Sequence, residues 1–193
     1  AFESTSAKEG VNFRPELGRL TTIGDFAFSR TAQSSVTLPD SVTAVGEQAF
    51  SESTALTSFH IGAGVTSFAE TALYNDRKIA TLTVSADNPV YSAEHNVLYR
   101  KANDGLHLML SPAANTLTDY TVRAGTVEIG ATAFANNKTL TRVVLPDGLK
   151  VIGDDAFAGT TALTELVIPE SVERSSGVTG NSLELVEYGS KVT

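Results

Sequence analysis

The three histidines have the most versatile chemistry in this sequence, because imidazole can bind metals or transfer protons near neutral pH. His60, His95 and His107 fall in different predicted elements, and no Asp or Glu spacing around them matches a metal-binding pattern. Asp154 and Asp155 are adjacent, but they occupy variable positions of a repeated segment, which favours a solvated turn over an acid/base pair. We therefore expect surface or structural roles for these residues.

The other candidate motifs also have structural explanations. Gly62-Ala63-Gly64 follows a predicted strand, but it falls where other repeats have a Pro-Asp-Gly turn. Asn137-Lys138-Thr139 is a formal glycosylation acceptor of a kind that often arises by chance. We find no nucleophile elbow, P-loop or dinucleotide fingerprint, and the absence of cysteine excludes thiolate catalysis and cysteine-based zinc sites. We expect no cofactor and no enzymatic activity, with an enzyme of unrecognised site as the alternative.

The charge balance argues against a nucleic-acid partner. The 193 residues carry a formal net charge of −8, whereas binding to phosphates needs a concentrated basic surface. No apolar run approaches the roughly 20 residues of a membrane span, so we expect no membrane insertion in this segment. The sequence begins at Ala1 rather than Met. Removal of an export signal would produce such a start, and so would a sequence that is a fragment of a longer one.

A repeat of about 23 residues organises the chain. EIGATAFANNKTLTRVVLP begins at Glu128, and VIGDDAFAGTTALTELVIP follows at Val151. Within each copy, alternating apolar residues rich in Val, Ile and Thr predict a short strand with one buried face, which Pro39, Pro146 or Pro169 ends. An Ile-Gly-x-x-Ala-Phe segment with roughly helical spacing then predicts a short helical or irregular return, with Phe pointing inward.

Stacking of such repeats would bury their Leu and Phe positions in continuous columns, because one repeat alone has too little core. The sequence therefore predicts an α/β solenoid with short parallel strands. We expect repeats over 20–172, an N-terminal segment or cap at 1–19, and a C-terminal cap or truncated repeat at 173–193.

One interval between repeats is 15 residues longer than the others. Apolar runs on both sides of Asn103-Asp104-Gly105 predict a β-hairpin insertion near 86–112, because Asp-Gly between such runs is a strong hairpin signal. Tyr91, Tyr99 and His95 of this insertion are further candidates for ligand contact. We expect at least one of the two tyrosines to pack inward.

The alternation also assigns the side chains that face solvent along the strands. They are mostly Ser and Thr, and they become more apolar toward the C-terminal end. They form either a platform for an extended protein partner or merely a soluble strand surface. Without Trp, Tyr or Phe, they indicate neither a high-affinity hot spot nor a sugar-stacking surface. The predicted face comprises Ser35, Thr37, Ser58, His60, Thr81, Thr83, Asp119, Thr121, Arg142, Val144, Glu165 and Val167.

Over about residues 17–172, the sequence resembles the BspA-type leucine-rich repeats. The resemblance rests on I-G-x-x-A-F, on L-x-x-V-x-L-P-D/E-S/G-V/L, and on the N-P-V-Y…V-L-Y…L-x-x-x-S-P insertion at 88–112. Proline and a turn replace the Asn that follows the strand in the general leucine-rich consensus, so we do not expect an asparagine ladder.

This resemblance implies a right-handed solenoid with the parallel strands on its concave side. It also implies a non-enzymatic, adhesin-like protein–protein interaction domain of a secreted or cell-surface bacterial protein. The partner would be a protein of a host or neighbouring cell. A passive structural spacer in a larger surface protein is the alternative. The oligomeric state is not indicated.

Overall fold

The computed structural model describes residues 20–175 and 185–188. All regular structure in these two stretches is β and forms sixteen strands. These stretches contain no helix that is long and apolar enough to cross a membrane. The strands are β1 (Thr22–Ile23), β2 (Ser35–Thr37), β3 (Ala44–Val45), β4 (Ser58–Ile61), β5 (Ser67–Phe68), β6 (Thr81–Val84), β7 (Tyr91–Glu94), β8 (Val97–Ala102), β9 (Gly105–Leu110), β10 (Asp119–Thr121), β11 (Thr126–Ile129), β12 (Arg142–Val144), β13 (Val151–Ile152), β14 (Glu165–Ile168), β15 (Arg174–Ser175) and β16 (Leu185–Tyr188).

The chain divides into two compact units, which we call the N-terminal unit (residues 1–98) and the C-terminal unit (residues 99–193). The N-terminal unit contains the sheets β1-β3-β5 and β2-β4-β6. The C-terminal unit contains the sheet β10-β12-β14-β16 and a second sheet in which β15, β13, β11, β9 and the larger part of β8 are successive neighbours. Strands of successive repeats pair in parallel, so each unit is a β-solenoid, as predicted.

Each repeat contains a second short strand that was not predicted from the sequence. Ile23, Val45, Ile129 and Ile152, which open the Ile-Gly-x-x-Ala-Phe segments, each end such a strand and are at most 2% exposed. The N–H of Gly153 donates to the carbonyl of Ile129 in the preceding repeat at 2.8 Å. The start of this segment is therefore extended.

The predicted helical returns, and with them the α/β class, are wrong; the irregular alternative is correct. In one return, the N–H groups of Thr132, Phe134 and Asn136 donate to carbonyls of the following repeat at 2.7–2.9 Å, while those of Ala133 and Ala135 donate locally. An α-helix would satisfy such donors within itself. Thr132 and Asn136 also have φ angles of 55° and 62°, which are incompatible with a right-handed helix.

The inward orientation predicted for the repeated phenylalanines is confirmed. Phe50, Phe134 and Phe157 are at most 1% exposed, and the stacked rings of Phe134 and Phe157 lie 5.1 Å apart. Burial of such a side chain contributes about 1.5–3 kcal/mol. Gln33 replaces the leading leucine of its repeat; it is 1% exposed, and neither of its side-chain polar atoms has a hydrogen-bond partner in the part of the chain described.

The glycine of the repeat allows successive repeats to approach closely. A Cβ atom on Gly153 would lie 2.5 Å from the backbone nitrogen of Ala131, and one on Gly46 would lie 2.3 Å from Asp25 Oδ1. Both distances are far below van der Waals contact. Any side chain at these positions would therefore force the repeats apart.

The predicted hairpin is confirmed, because β8 and β9 are neighbours joined only by residues 103–104. A second reversal, which was not predicted, leads from β7 into β8. His95 and Asn96 form it with φ angles of 52° and 65°, as a type I′ turn requires. Tyr91 and Tyr99 are 3% and 0% exposed, so both tyrosines pack inward and are not available to a ligand.

The cap predicted at 1–19 lies outside the described residues. Part of the segment at 173–193 is described and extends both sheets of the C-terminal unit. Strand β15 pairs with β13, and β16 pairs with β14, with Val186 opposite Leu166. The division into caps and repeats stays a prediction.

Candidate protein-binding faces

The outward positions predicted from the sequence lie on two separate sheets, one in each unit. The N-terminal face lies on β2, β4 and β6 and comprises Ser35, Thr37, Ser58, His60, Thr81 and Thr83. The C-terminal face lies on β10, β12 and β14 and comprises Asp119, Thr121, Arg142, Val144, Glu165 and Val167.

Burial alternates along all six strands, which confirms the predicted orientation of these side chains. Every residue of both faces is partly or fully exposed. The central residues between them are at most 5% exposed: Val36, Phe59, Leu82, Tyr120, Val143 and Leu166. A binding role for the exposed positions stays a prediction.

The N-terminal face is a surface of hydroxyl groups. The parallel register aligns Ser35, Ser58 and Thr81 in one row across the strands. His60 stands in the adjacent row, where its Nδ1 lies 2.8 Å from the Thr83 hydroxyl oxygen. This face can exchange hydrogen bonds with a polar partner, but it offers little apolar surface.

The C-terminal face combines charged and aliphatic side chains. One row aligns Asp119, Arg142 and Glu165, and the guanidinium Nε of Arg142 donates to Glu165 Oε1 at 2.6 Å. In the next row, Val144 and Val167 are side by side, and both are half-buried. This face can therefore offer ionic contacts and an apolar surface together.

A charged cluster around His107 was not predicted from the sequence. Asp104 Oδ1 lies 3.0 Å from His107 Nε2, and Glu128 Oε2 lies 3.3 Å from His107 Nδ1. Arg100 Nη2 lies 2.9 Å from the same Nδ1. The hydrogen bond with His107 lowers the pKa of Asp104. These contacts join the hairpin to β11; across residues 20–175 and 185–188, no group of three potential ligands is arranged to hold a metal ion.

A buried carboxyl group in the N-terminal unit was also missed. Asp76 is 6% exposed, and its Oδ1 accepts a hydrogen bond from the Ser53 N–H at 2.6 Å. Its Oδ2 is buried without a partner among the described residues. Burial raises the pKa of Asp76 to about 8, against the opposing effect of the Ser53 hydrogen bond. Asn137 and Thr160 hold the same repeat position and are also buried, so a buried polar side chain recurs at this position of the repeat.

The three remaining sequence motifs are structural. Asn137 of the formal glycosylation acceptor is 1% exposed, and its Oδ1 accepts the N–H of Leu140 at 2.9 Å. In Gly62-Ala63-Gly64, the N–H of Ala63 donates to Asp40 Oδ1 at 2.7 Å, so a neighbouring repeat already occupies this donor. Asp154 and Asp155 are exposed in a turn.

Comparisons with known proteins agree with this geometry. The family model described as "BspA type Leucine rich repeat region" matches residues 1–102 and 113–179 in 6 copies. No curated protein matches the sequence significantly.

Solved bacterial structures share the fold. A leucine-rich repeat protein from Eubacterium ventriosum is 28% identical, with a TM-score of 0.76 over 91% of this chain and 47% of its own. A leucine rich cell surface protein from Faecalibacterium prausnitzii is 27% identical, with a TM-score of 0.66 over 89% of this chain and 58% of its own. The pneumococcal vaccine antigen PcpA, at 23% identity and a TM-score of 0.67 over 80% of this chain and 44% of its own, shares the fold. The chain thus spans about half the length of the structures it matches.

Proposed function

Because the chain belongs to the BspA-type leucine-rich repeat family, we propose that it is a non-enzymatic protein-binding module of a bacterial surface or secreted protein, with an adhesin-like role. The observation that carries this proposal is the C-terminal face. Its charged and aliphatic side chains point outward from a sheet whose inward side chains form the core. Repeat stacking gives such a face a fixed geometry, which lowers the entropy lost on binding.

The surface location is supported by a structural relative, the Faecalibacterium prausnitzii protein described as a cell surface protein. An adhesin needs its binding face outside the cell, where the partner would be a protein of a host or a neighbouring cell. Antibodies against the chain should label intact cells of the source bacterium as strongly as permeabilised cells. Labelling that requires permeabilisation would contradict this location.

Binding can be tested by changing the C-terminal face without disturbing the core. The immobilised chain should retain specific proteins from solubilised cell-surface extracts. The double substitution Arg142→Glu with Val144→Asp should reduce that retention at least about fivefold, because it reverses a charge and buries a carboxylate against the partner. Both positions are only partly buried, so the variant should fold.

A matched control exists on the other sheet of the same unit. Val151 and Arg174 are paired neighbours there, half-buried and exposed respectively. Val151→Asp with Arg174→Glu makes the same change in charge and polarity away from the face, and it should leave retention unchanged.

The alternative function is a passive spacer within a larger protein. It is favoured by the N-terminal face, whose hydroxyl groups suit a soluble surface as well as a binding site. A spacer would retain nothing specific, or would retain the same proteins whichever sheet is altered. Either outcome would contradict the binding proposal.

A further inference from the structure

The C-terminal face has an excess of negative charge. Arg142 and Glu165 neutralise each other through their 2.6 Å contact. Asp119, at the end of the same row, is exposed; the Thr118 hydroxyl donates to it at 3.3 Å, and it forms no ion pair within the described residues. The backbone register also places Glu187 of β16 beside Val167. Two acidic side chains, Asp119 and Glu165, thus stand in this row against one basic side chain.

The apolar part of the face lies next to this charge. Val144 and Val167 are neighbours on adjacent strands, one row away from Asp119, Arg142 and Glu165. The two rows are separated by two residues along each strand, or about 6.6 Å. An extended peptide presents its own residues i and i+2 to one side with the same spacing.

We propose that the C-terminal face binds an extended segment of a partner protein with the pattern basic–x–aliphatic. The basic side chain pairs with Asp119, and the aliphatic side chain two positions later covers Val144, the diagonal neighbour of Asp119 on the adjacent strand. This assignment rests on the proposed protein-binding function and adds the chemistry of the partner. The acidic balance of the whole chain, −8, steers such a basic segment toward the protein.

The proposal can be tested with a fluorescent octapeptide, Lys-Ser-Val-Ser-Lys-Ser-Val-Ser, titrated with the full chain at low salt. We expect it to bind at least about tenfold more tightly than versions with Glu in place of Lys or Ser in place of Val. Asp119→Lys should weaken binding about tenfold, and raising the salt to about 0.5 M should remove most of this difference. Val144→Thr, which keeps the shape but not the apolarity, should weaken it about threefold.

Asp147→Lys provides the matched control, because Asp147 is an exposed residue of a turn and the substitution changes the net charge equally. It should alter the dissociation constant less than twofold. Equal weakening by Asp119→Lys and Asp147→Lys would show attraction to net charge alone and overturn the assignment to this face.

Separate failures are also distinguishable. If the peptide does not bind while cell-surface proteins are retained in a manner that depends on Arg142 and Val144, the protein-binding function stands and the basic–x–aliphatic pattern is wrong. If neither the peptide nor any protein binds, both proposals are overturned.

Discussion

Replacing Asp76 with asparagine should stabilise the protein near neutral pH and remove one source of pH dependence from its folding. Burial raises the pKa of this carboxyl group from 3.8 to about 8. The folded state therefore keeps a proton on Asp76 over a pH range in which the unfolded state has released it. The stability that depends on this proton is fully present below about pH 4, declines as the pH rises, and is lost above about pH 8.

The size of the effect follows from the width of that range. Each pH unit between the two pKa values removes about 1.4 kcal/mol from the free energy of unfolding. From 3.8 to pH 7 is about three units, so the wild type loses on the order of 4 kcal/mol by neutral pH. Asp76→Asn avoids this loss and keeps an acceptor for the Ser53 N–H, but its unpaired amide costs about 1–3 kcal/mol. The variant should therefore be about 1–3 kcal/mol more stable at pH 7.

Urea unfolding followed by far-UV circular dichroism between about pH 5 and pH 8 measures this difference. Glu52 and Asp104 do not interfere in that range, because hydrogen bonds from Arg30 and His107 lower their pKa values. The free energy of unfolding of the wild type should fall by about 1.4 kcal/mol per pH unit relative to that of Asp76→Asn.

Asp147→Asn is the control, because it removes an exposed carboxylate and should follow the wild type at every pH. A direct measurement is the carboxyl carbon resonance of Asp76, which should titrate with a midpoint near pH 8. A midpoint below about pH 5, or parallel stability profiles for wild type and Asp76→Asn, would refute the reasoning.

Three further predictions test the stacking of repeats, each by the free energy of unfolding in urea. Phe134→Ala or Phe157→Ala should cost about 3–5 kcal/mol through the cavity left behind, and an unchanged unfolding midpoint would contradict the inward packing. Gly153→Ala should cost about 1–3 kcal/mol by forcing repeats apart. Gly130→Ala should cost less, because its Cβ would lie 3.3 Å from the nearest atom. Equal costs for the two variants would contradict the argument that Gly153 is needed for close approach. Gln33→Leu should stabilise by about 1–3 kcal/mol, because it restores the leading leucine and removes buried polar atoms without partners; destabilisation would show that Gln33 has a partner outside the described residues.

The sequence predicts the stacked strands because their apolar residues recur at the interval that brings repeats into register. Phe134 and Phe157 are 23 positions apart and stack directly on each other. The returns could not be predicted in the same way. The spacing from Ile129 to Phe134 fits a helix as well as it fits a turn, and the choice is made by hydrogen bonds to the following repeat, such as Phe134 N to Ala156 O at 2.7 Å.

For the candidate faces, alternation was sufficient to predict which side chains point outward. It did not predict that they fall on two sheets, although the long interval between repeats was the available signal. The surroundings of Asp76 and His107 were not predictable from local pattern, because their partners Ser53 and Glu128 come from other repeats or strands. The polar character shared by Ser53, Asp76, Asn137 and Thr160, each three residues before a buried leucine or isoleucine, could have revealed the buried polar position.

The donation of alternate N–H groups from each return to the next repeat has a consequence for how such a gene can change length. A deletion of a few codons within a return would leave every later donor opposite the wrong carbonyl and would turn core side chains toward water. Removal or duplication of one complete repeat restores the same junction on both sides. Length variation among relatives should therefore come in whole-repeat steps, with smaller insertions confined to places like the hairpin of β8 and β9. That hairpin precedes a return in which the N–H of Ser111 still donates to the carbonyl of Ala133 in the following repeat.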